Sequence, residues 1–165
     1  MLVLNPPQSP LSAVITTHKW TSFFPVPTRN FEALSLSETE LLKLRISVFV
    51  VEQNCPYQEL DDLDLVSDHF FGSLDGQLIA LGRVYKDLNT VYIGRVAVKS
   101  NYRKNGYARK LMEFILQEIK TKFPDLTIEL SAQEYLINFY ASLGFVSQGK
   151  TYLEDGIPHI KMTYF

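Results

Sequence analysis

A loop rich in basic residues leads into a glycine and then into a long amphipathic pattern. Residues 99–110 contain five basic side chains and no acidic one: Lys99, Arg103, Lys104, Arg109 and Lys110. Gly106 and Ala108 leave room for a ligand to approach the backbone where a helix is expected to start. The first turn of a helix offers free N–H groups and a partial positive charge, which suit a phosphate. In a chain of net charge −2, this local excess indicates either a small polyanionic ligand or an ordinary solvated helix start.

The acidic side chains are concentrated in an earlier segment. Residues 52–68 contain six carboxylates and no lysine or arginine: Glu52, Glu59, Asp61, Asp62, Asp64 and Asp68. This segment either borders a site that prefers a cationic amine or is a solvated acidic loop. The histidines lack the spacing of metal ligands, so no metal site is predicted. The single cysteine, Cys55, excludes an intramolecular disulfide and is interpreted as a packing residue.

Length and composition fit one globular domain. The chain has 165 residues, 46% of them apolar and 21% charged, so it can bury a core without disulfides or metals. We expect an N-terminal arm over residues 1–17 and one domain over residues 18–165. The small net charge argues against a nucleic-acid or membrane partner. No apolar run approaches the roughly 18 residues that span a bilayer, and the chain starts unlike a secretory signal, so a cytoplasmic location is predicted.

Alternating strand and helix patterns must position the candidate residues. Ser37 and Glu40 form a capping box before an apolar helical pattern. Glycine turns at Asp75-Gly76 and Asp155-Gly156 predict two hairpins. The predicted strands cover residues 69–74, 77–86, 90–98, 126–132, 145–154 and 157–165. Apolar spacing predicts a helix over 106–123 and a short helix that Gly144 ends. This order of predicted strands and helices indicates an α/β fold with a mixed, mostly antiparallel central sheet flanked by helices. One parallel crossover runs through the helix at 106–123.

Four of these segments resemble the GCN5-related N-acetyltransferases (GNAT). The motif Arg103-x-x-Gly106-x-Ala108, after Val96-Ala97-Val98, is similar to their acetyl-CoA motif, and Phe139-Tyr140 before Gly144-Phe145 is similar to their fourth-helix signature. Segments 44–57 and 155–162 resemble the ElaA-like branch of the family. The resemblance covers about residues 18–165 and implies a single-domain GNAT-like fold.

The resemblance implies an N-acetyltransferase that moves acetyl from acetyl-CoA directly to a primary amine of a small molecule or peptide. It places the backbone N–H of Val98 near the thioester carbonyl, and it makes Tyr140 the acid that protonates the departing thiolate. The residues expected to bind acetyl-CoA are Val96, Ala97, Val98, Arg103, Lys104, Asn105, Gly106, Tyr107, Ala108, Arg109 and Gln133.

Five points stay open in the sequence. The general base is one of Glu52, His69 and His159, or water held by them; we expect Glu52 and His159 in the catalytic pocket without assigning a proton to either. Many family members carry asparagine at the position of Gln133, which leaves its contact open. The rival function is a non-catalytic acyl-CoA-binding sensor or regulatory module on the same fold. The acceptor, possibly cationic, and the choice between monomer and homodimer are not specified.

Overall fold

The protein, as a computed structural model, is described over residues 14–19, 39–74 and 77–165. Seven strands form one sheet in the order β1-β2-β3-β4-β5-β7-β6. The strands are β1 Val14–Lys19, β2 Asp68–Leu74, β3 Gln77–Asp87, β4 Thr90–Val98, β5 Thr127–Gln133, β6 Val146–Glu154 and β7 Ile157–Tyr164. Neighbouring strands run antiparallel except β4 and β5, which are parallel. The predicted mixed sheet with one parallel crossover is therefore confirmed.

Helices cover both faces of the sheet. Helix α1 covers residues 39–45 and continues as a π-helix over Ile46–Glu52. Its buried Leu41, Leu44 and Val48 pack on the sheet in a small hydrophobic cluster. Helix α2, Tyr107–Lys122, forms the crossover and buries its apolar stripe in the main core. A short helix α3, Ile137–Ala141, follows β5 after a single 3-10 turn.

The elements agree with the predicted ones to within one or two residues, with one extension. Strand β1 begins at Val14, so residues 14–17 of the expected arm pair with β2. They pair there because β2 has backbone donors and acceptors on the edge that faces away from β3. The proline-rich start of the chain did not predict this pairing. Ser37 of the predicted capping box and the Asp75-Gly76 turn lie outside the described residues.

Strands β4 and β5 separate half-way along their length. Their parallel pairing runs from Thr90–Thr127 to Ile93–Leu130, while β5 stays paired with β7 on its other edge as far as Gln133. Strand β4 stays on β3, but its register shifts between Gly94 and Ala97. Two residues of β4 there oppose Gly82 alone, which is the pattern of a β-bulge. Arg95, inside the bulge, has a left-handed φ of 53°.

Candidate active site

A cavity of about 740 Å³ lies where β4 and β5 separate. Its walls come from the end of α1, the open part of β4, the loop before α2, the end of β5, helix α3 and the β6–β7 turn. The structure brings thirteen of the fourteen predicted site residues to this cavity: Glu52, Val96, Ala97, Val98, Arg103, Lys104, Gly106, Tyr107, Ala108, Arg109, Gln133, Tyr140 and His159. Asn105 does not line it.

The backbone of Val98 faces the open side of β4. Lys99 N–H, next along the chain, donates to Ile79 O of β3 at 2.8 Å. Because successive residues of a strand direct their backbone groups to alternate sides, the N–H and C=O of Val98 point away from β3. The carbonyl of Val98 accepts a hydrogen bond from Arg103 Nε at 2.9 Å. Its N–H is directed toward the space that β5 has left.

The loop before α2 turns through two left-handed residues, Lys104 (φ 63°) and Gly106 (φ 79°). Gly106 caps the N-terminus of α2, and its conformation is one that glycine adopts at little cost. The Asn105 amide donates to Tyr102 O at 3.3 Å and Arg103 O at 3.0 Å. The side chain of Asn105 therefore stabilises the loop, while the basic residues around it line the cavity.

Glu52 is held by an arginine. Both Nη atoms of Arg103 donate to its carboxylate, with Nη2–Oε2 at 2.8 Å. This hydrogen bonding from Arg103 holds the pKa of Glu52 below its usual range, despite a smaller opposing effect of burial. The ion pair joins the end of α1 to the loop before α2. A carboxylate so bound is a weak base.

Tyr140 is buried on α3, with 6% of its surface exposed. Its ring makes edge contacts with Phe139 and Phe145. Burial, and to a smaller degree the nearby Tyr135, raises the pKa of Tyr140, so the phenol keeps its proton through the neutral range. Among the described residues, no group hydrogen-bonds to its hydroxyl, although the residue lines the cavity.

His159 of β7 lines the other side of the cavity and is 8% exposed. Its Nδ1 lies 2.8 Å from Ile157 O. Because a carbonyl only accepts, Nδ1 carries a proton, and in the neutral ring Nε2 is then the acceptor. Beside it in the register, Gln133 Nε2 donates to Gln53 Oε1 at 3.3 Å and links β5 to the end of α1.

His69, the third candidate base, is not a cavity residue. It is buried with Nε2 3.2 Å from Asp64 O, and burial lowers its pKa despite the nearby carboxylate. The expectation that His69 could serve as the base is wrong for this geometric reason.

The acidic segment does not border the cavity as a whole. Of its six carboxylates only Glu52 is a lining residue. Glu59, Asp61 and Asp64 are engaged instead by arginines of α1, β3 and β4, which makes the acceptor-side interpretation wrong for them.

Two carboxylates from a different part of the chain line the cavity. Glu154 and Asp155 line the cavity at the β6–β7 turn, and Ser131 Oγ donates to Glu154 Oε2 at 2.9 Å. From the sequence, Asp155 was interpreted as a turn residue and as the start of the ElaA-like segment 155–162, not as a cavity residue, and Glu154 was not singled out. The Asp155-Gly156 segment shared with the ElaA-like branch was the available signal for both.

The comparisons with known proteins agree with this geometry. The acetyltransferase (GNAT) domain family matches residues 38–164. Protein ElaA from Escherichia coli K12 is 45% identical over 135 residues, which cover 78% of this chain and 88% of ElaA. The chain belongs to the GNAT acetyltransferase family. The resemblance to its ElaA-like branch is confirmed.

Solved GNAT structures superpose closely on the chain. An acyl-CoA N-acyltransferase from Pseudomonas aeruginosa has a TM-score of 0.78 at 40% identity, covering 93% of this chain and 100% of that one. Escherichia coli ElaA has a TM-score of 0.78 at 37% identity, covering 94% and 100%. GNAT acetyltransferases use acetyl-CoA as co-substrate. Over the described ranges, no helix is long and apolar enough to cross a membrane.

Proposed function

We propose that the protein is an acetyl-CoA-dependent N-acetyltransferase that acetylates a primary amine of a small molecule or peptide directly. One arrangement carries this proposal. Strands β4 and β5 part after the Ile93–Leu130 pair, and the cavity there also reaches the start of α2 and the buried Tyr140. A long, bent ligand with an anionic end could lie along all three. We also propose that the protein is cytoplasmic, as the sequence predicts.

The residues around the loop fit the diphosphate of acetyl-CoA. Lys104, Arg109 and the positive end of α2 face the cavity, and Gly106 presents no side chain there. Along β4, the backbone of Val96–Val98 lines the cavity, and the outward N–H and C=O of Val98 offer a donor and an acceptor of the kind that pairs with an amide-containing chain. These two parts would orient the thioester within the cavity.

The chemical step is an attack of the amine nitrogen on the thioester carbonyl, which forms a C–N bond and breaks the C–S bond. The N–H of Val98 stabilises the negative charge that develops on the carbonyl oxygen. Tyr140 gives its phenolic proton to the departing thiolate. Nε2 of His159 accepts the proton that the amine loses, directly or through water. Glu52, held by Arg103, acts on the loop rather than on the amine.

Calorimetric titration with acetyl-CoA tests the binding half of the proposal. The wild-type protein should bind with micromolar affinity, about −8 kcal/mol. Gly106→Glu should abolish binding, because it places a carboxylate and a strained φ where the diphosphate is expected. Gly149→Glu is the matched control, since Gly149 also has a positive φ (74°) and open space but lies in β6 outside the cavity. No heat with the wild type would refute the proposal.

An assay of thiol release over a panel of amines tests the catalytic half. The panel should set diamines and lysine peptides beside neutral amines, because Glu154 and Asp155 favour a positively charged acceptor. His159→Asn should lower turnover. The asparagine amide can still donate to Ile157 O, but it has no basic nitrogen in place of Nε2 of His159. Binding without thiol release from any amine would favour the acyl-CoA sensor instead.

A further inference from the structure

A network of charged side chains lies between α1, the segment before β2 and the sheet. Arg45, 1% exposed, donates to Glu59 Oε1 at 2.6 Å and to Asp64 Oδ1 at 2.7 Å. Arg83 donates to Asp61 Oδ1 at 2.7 Å and Asp64 Oδ1 at 2.8 Å. Together with Arg95, the network holds three guanidinium groups and three carboxylates, so its formal charges cancel.

Arg95 connects this network to the cavity. Its Nε donates to Glu59 at 3.0 Å, while Tyr57 donates its hydroxyl to the same carboxylate. Its guanidinium lies 6.0 Å from the centre of the Phe49 ring and 5.7 Å from that of Tyr57. The side chain is 22% exposed and lines the cavity together with both aromatic rings.

The backbone of Arg95 has a conformation that its residue type does not favour. A left-handed φ costs a non-glycine residue free energy, and Arg95 forms the bulge together with Val96, directly before Ala97 and Val98. The contacts to Glu59, Phe49 and Tyr57 offset that cost, because they are available only when the guanidinium points into the network. Glu59 in turn is held by the buried Arg45, whose Nε donates to Glu59 Oε1 at 2.6 Å.

We infer that Arg95 is a positioning residue, anchored through Glu59, that keeps the β4 bulge in the shape that aligns Val96–Val98 with the arm of acetyl-CoA. This inference rests on the proposed function, because it assigns that backbone row to the acyl-carrying half of the co-substrate. Arg95 itself need not touch the reacting atoms. Its effect is confined to the arm, since the nucleotide half would bind at the loop before α2.

The test compares two ligands on the full chain by calorimetry: acetyl-CoA and 3′-phospho-ADP, the nucleotide half of coenzyme A. Arg95→Ala should weaken acetyl-CoA at least tenfold and leave 3′-phospho-ADP within twofold. Arg95→Lys, which retains a cation for Glu59, should recover part of the loss. Lys161→Ala is the control, because it breaks a cross-strand ion pair with Glu129 (2.8 Å) outside the cavity and should change neither affinity.

Each outcome separates the inference from the proposed function. If the wild type fails to bind acetyl-CoA, the proposed function fails and the inference with it. If it binds and Arg95→Ala binds acetyl-CoA equally well, only the inference is overturned. Equal weakening of both ligands would also overturn it, because that pattern means a general loss of structure. Glu59→Gln should reproduce the Arg95→Ala pattern, and the double variant should add little to either.

Discussion

Removing the hydroxyl oxygen of Tyr140 tests proton donation separately from acetyl-CoA binding. The ring of Tyr140 packs against Phe139 and Phe145, and the residue lines the cavity. The raised pKa of its phenol means that the hydroxyl is protonated at neutral pH. The Tyr140→Phe variant keeps this ring packing and loses only the hydroxyl. A change in its activity can therefore be attributed to the loss of proton donation.

Tyr140→Phe should lower kcat by roughly 100-fold, the lower end of what general acid catalysis contributes, with acetyl-CoA affinity unchanged. Initial rates of thiol release and calorimetric titration measure the two quantities. Tyr85→Phe is the control, because Tyr85 stacks on Tyr92 away from the cavity. A Tyr140→Phe enzyme with wild-type kcat would show that another group protonates the thiolate.

Glu52 occupies the Nη atoms that Arg103 would offer to a diphosphate. Arg103 keeps its orientation without Glu52 through Nε and Val98 O. Glu52→Gln should therefore tighten acetyl-CoA binding several-fold, which calorimetry measures. Glu40→Gln removes a different α1 carboxylate, paired with Lys43 at 3.0 Å, and should have no effect. Weaker binding by Glu52→Gln would mean that the carboxylate holds Arg103 in its binding orientation.

Among the elements, the turn after α3 depends on one glycine. Gly144 has φ 98°, and a Cβ there would lie 2.9 Å from Cε2 of Tyr164. The Tyr164 ring cannot easily move, since it packs on Phe145. The end of α3, which carries Tyr140, is thus fixed against β7.

Gly144→Ala should lower the free energy of unfolding by about 2 kcal/mol, the sum of left-handed strain and the contact with Tyr164. Gly149→Ala has the same strain without a neighbour within 4 Å, so about 1 kcal/mol is expected there. Urea denaturation measures both. Equal losses at the two positions would show that φ alone determines the effect.

Strand β4 shows what its sequence specifies and what it does not. The β-branched residues of 90–98 predicted the strand with its observed ends. The bulge at Arg95 had no such signal, because the residue that holds its left-handed conformation, Glu59, lies 36 positions earlier in the chain. The apolar pattern after Glu40 predicted helix α1 but not that the helix ends as a π-helix over Ile46–Glu52.

The candidate site divides in the same way. The loop before α2 was predicted from the local spacing of its basic residues and Gly106, and Tyr140 from the resemblance of its segment to the fourth-helix signature of the family. The acidic segment was left between two interpretations, and its buried ion pairs were not predicted, because its partners Arg45 and Arg83 come from other elements that only the folded chain brings near. Glu154 reaches the cavity through the pairing of β6 with β7, which residue spacing within one strand does not reveal.

For the whole molecule, the charged network couples stability to acid. Burial alone would raise the pKa of Asp64, but hydrogen bonds from Arg45 and Arg83 outweigh it and lower the pKa from 3.8 to about 2. A lowered carboxyl pKa contributes stability above the unfolded value, and that contribution is lost as the pH falls through the folded value. The window is therefore about pH 4 to pH 2.

Across that window Asp64 should account for a loss of about 2 kcal/mol in the free energy of unfolding. Urea denaturation at stepped pH should show wild type and Asp64→Asn differing most above pH 4 and converging toward pH 2. Asp62→Asn, at an exposed carboxylate of the same segment, should follow the wild type throughout. A difference that stays constant with pH would contradict the assignment.

The separation of β4 from β5 also bears on how the protein unfolds. Within the described sheet, strands β1–β4 and β5–β7 are hydrogen-bonded to each other along four residue pairs only. The two halves can therefore open as semi-independent cooperative units, which native-state hydrogen exchange of their backbone amides would measure. A ligand that contacts both Val98 and Tyr140 would couple the halves into one unit. At a thousandfold excess over its Kd, it would add about 4 kcal/mol to global stability, so the folded fraction of the protein would rise with the concentration of that ligand.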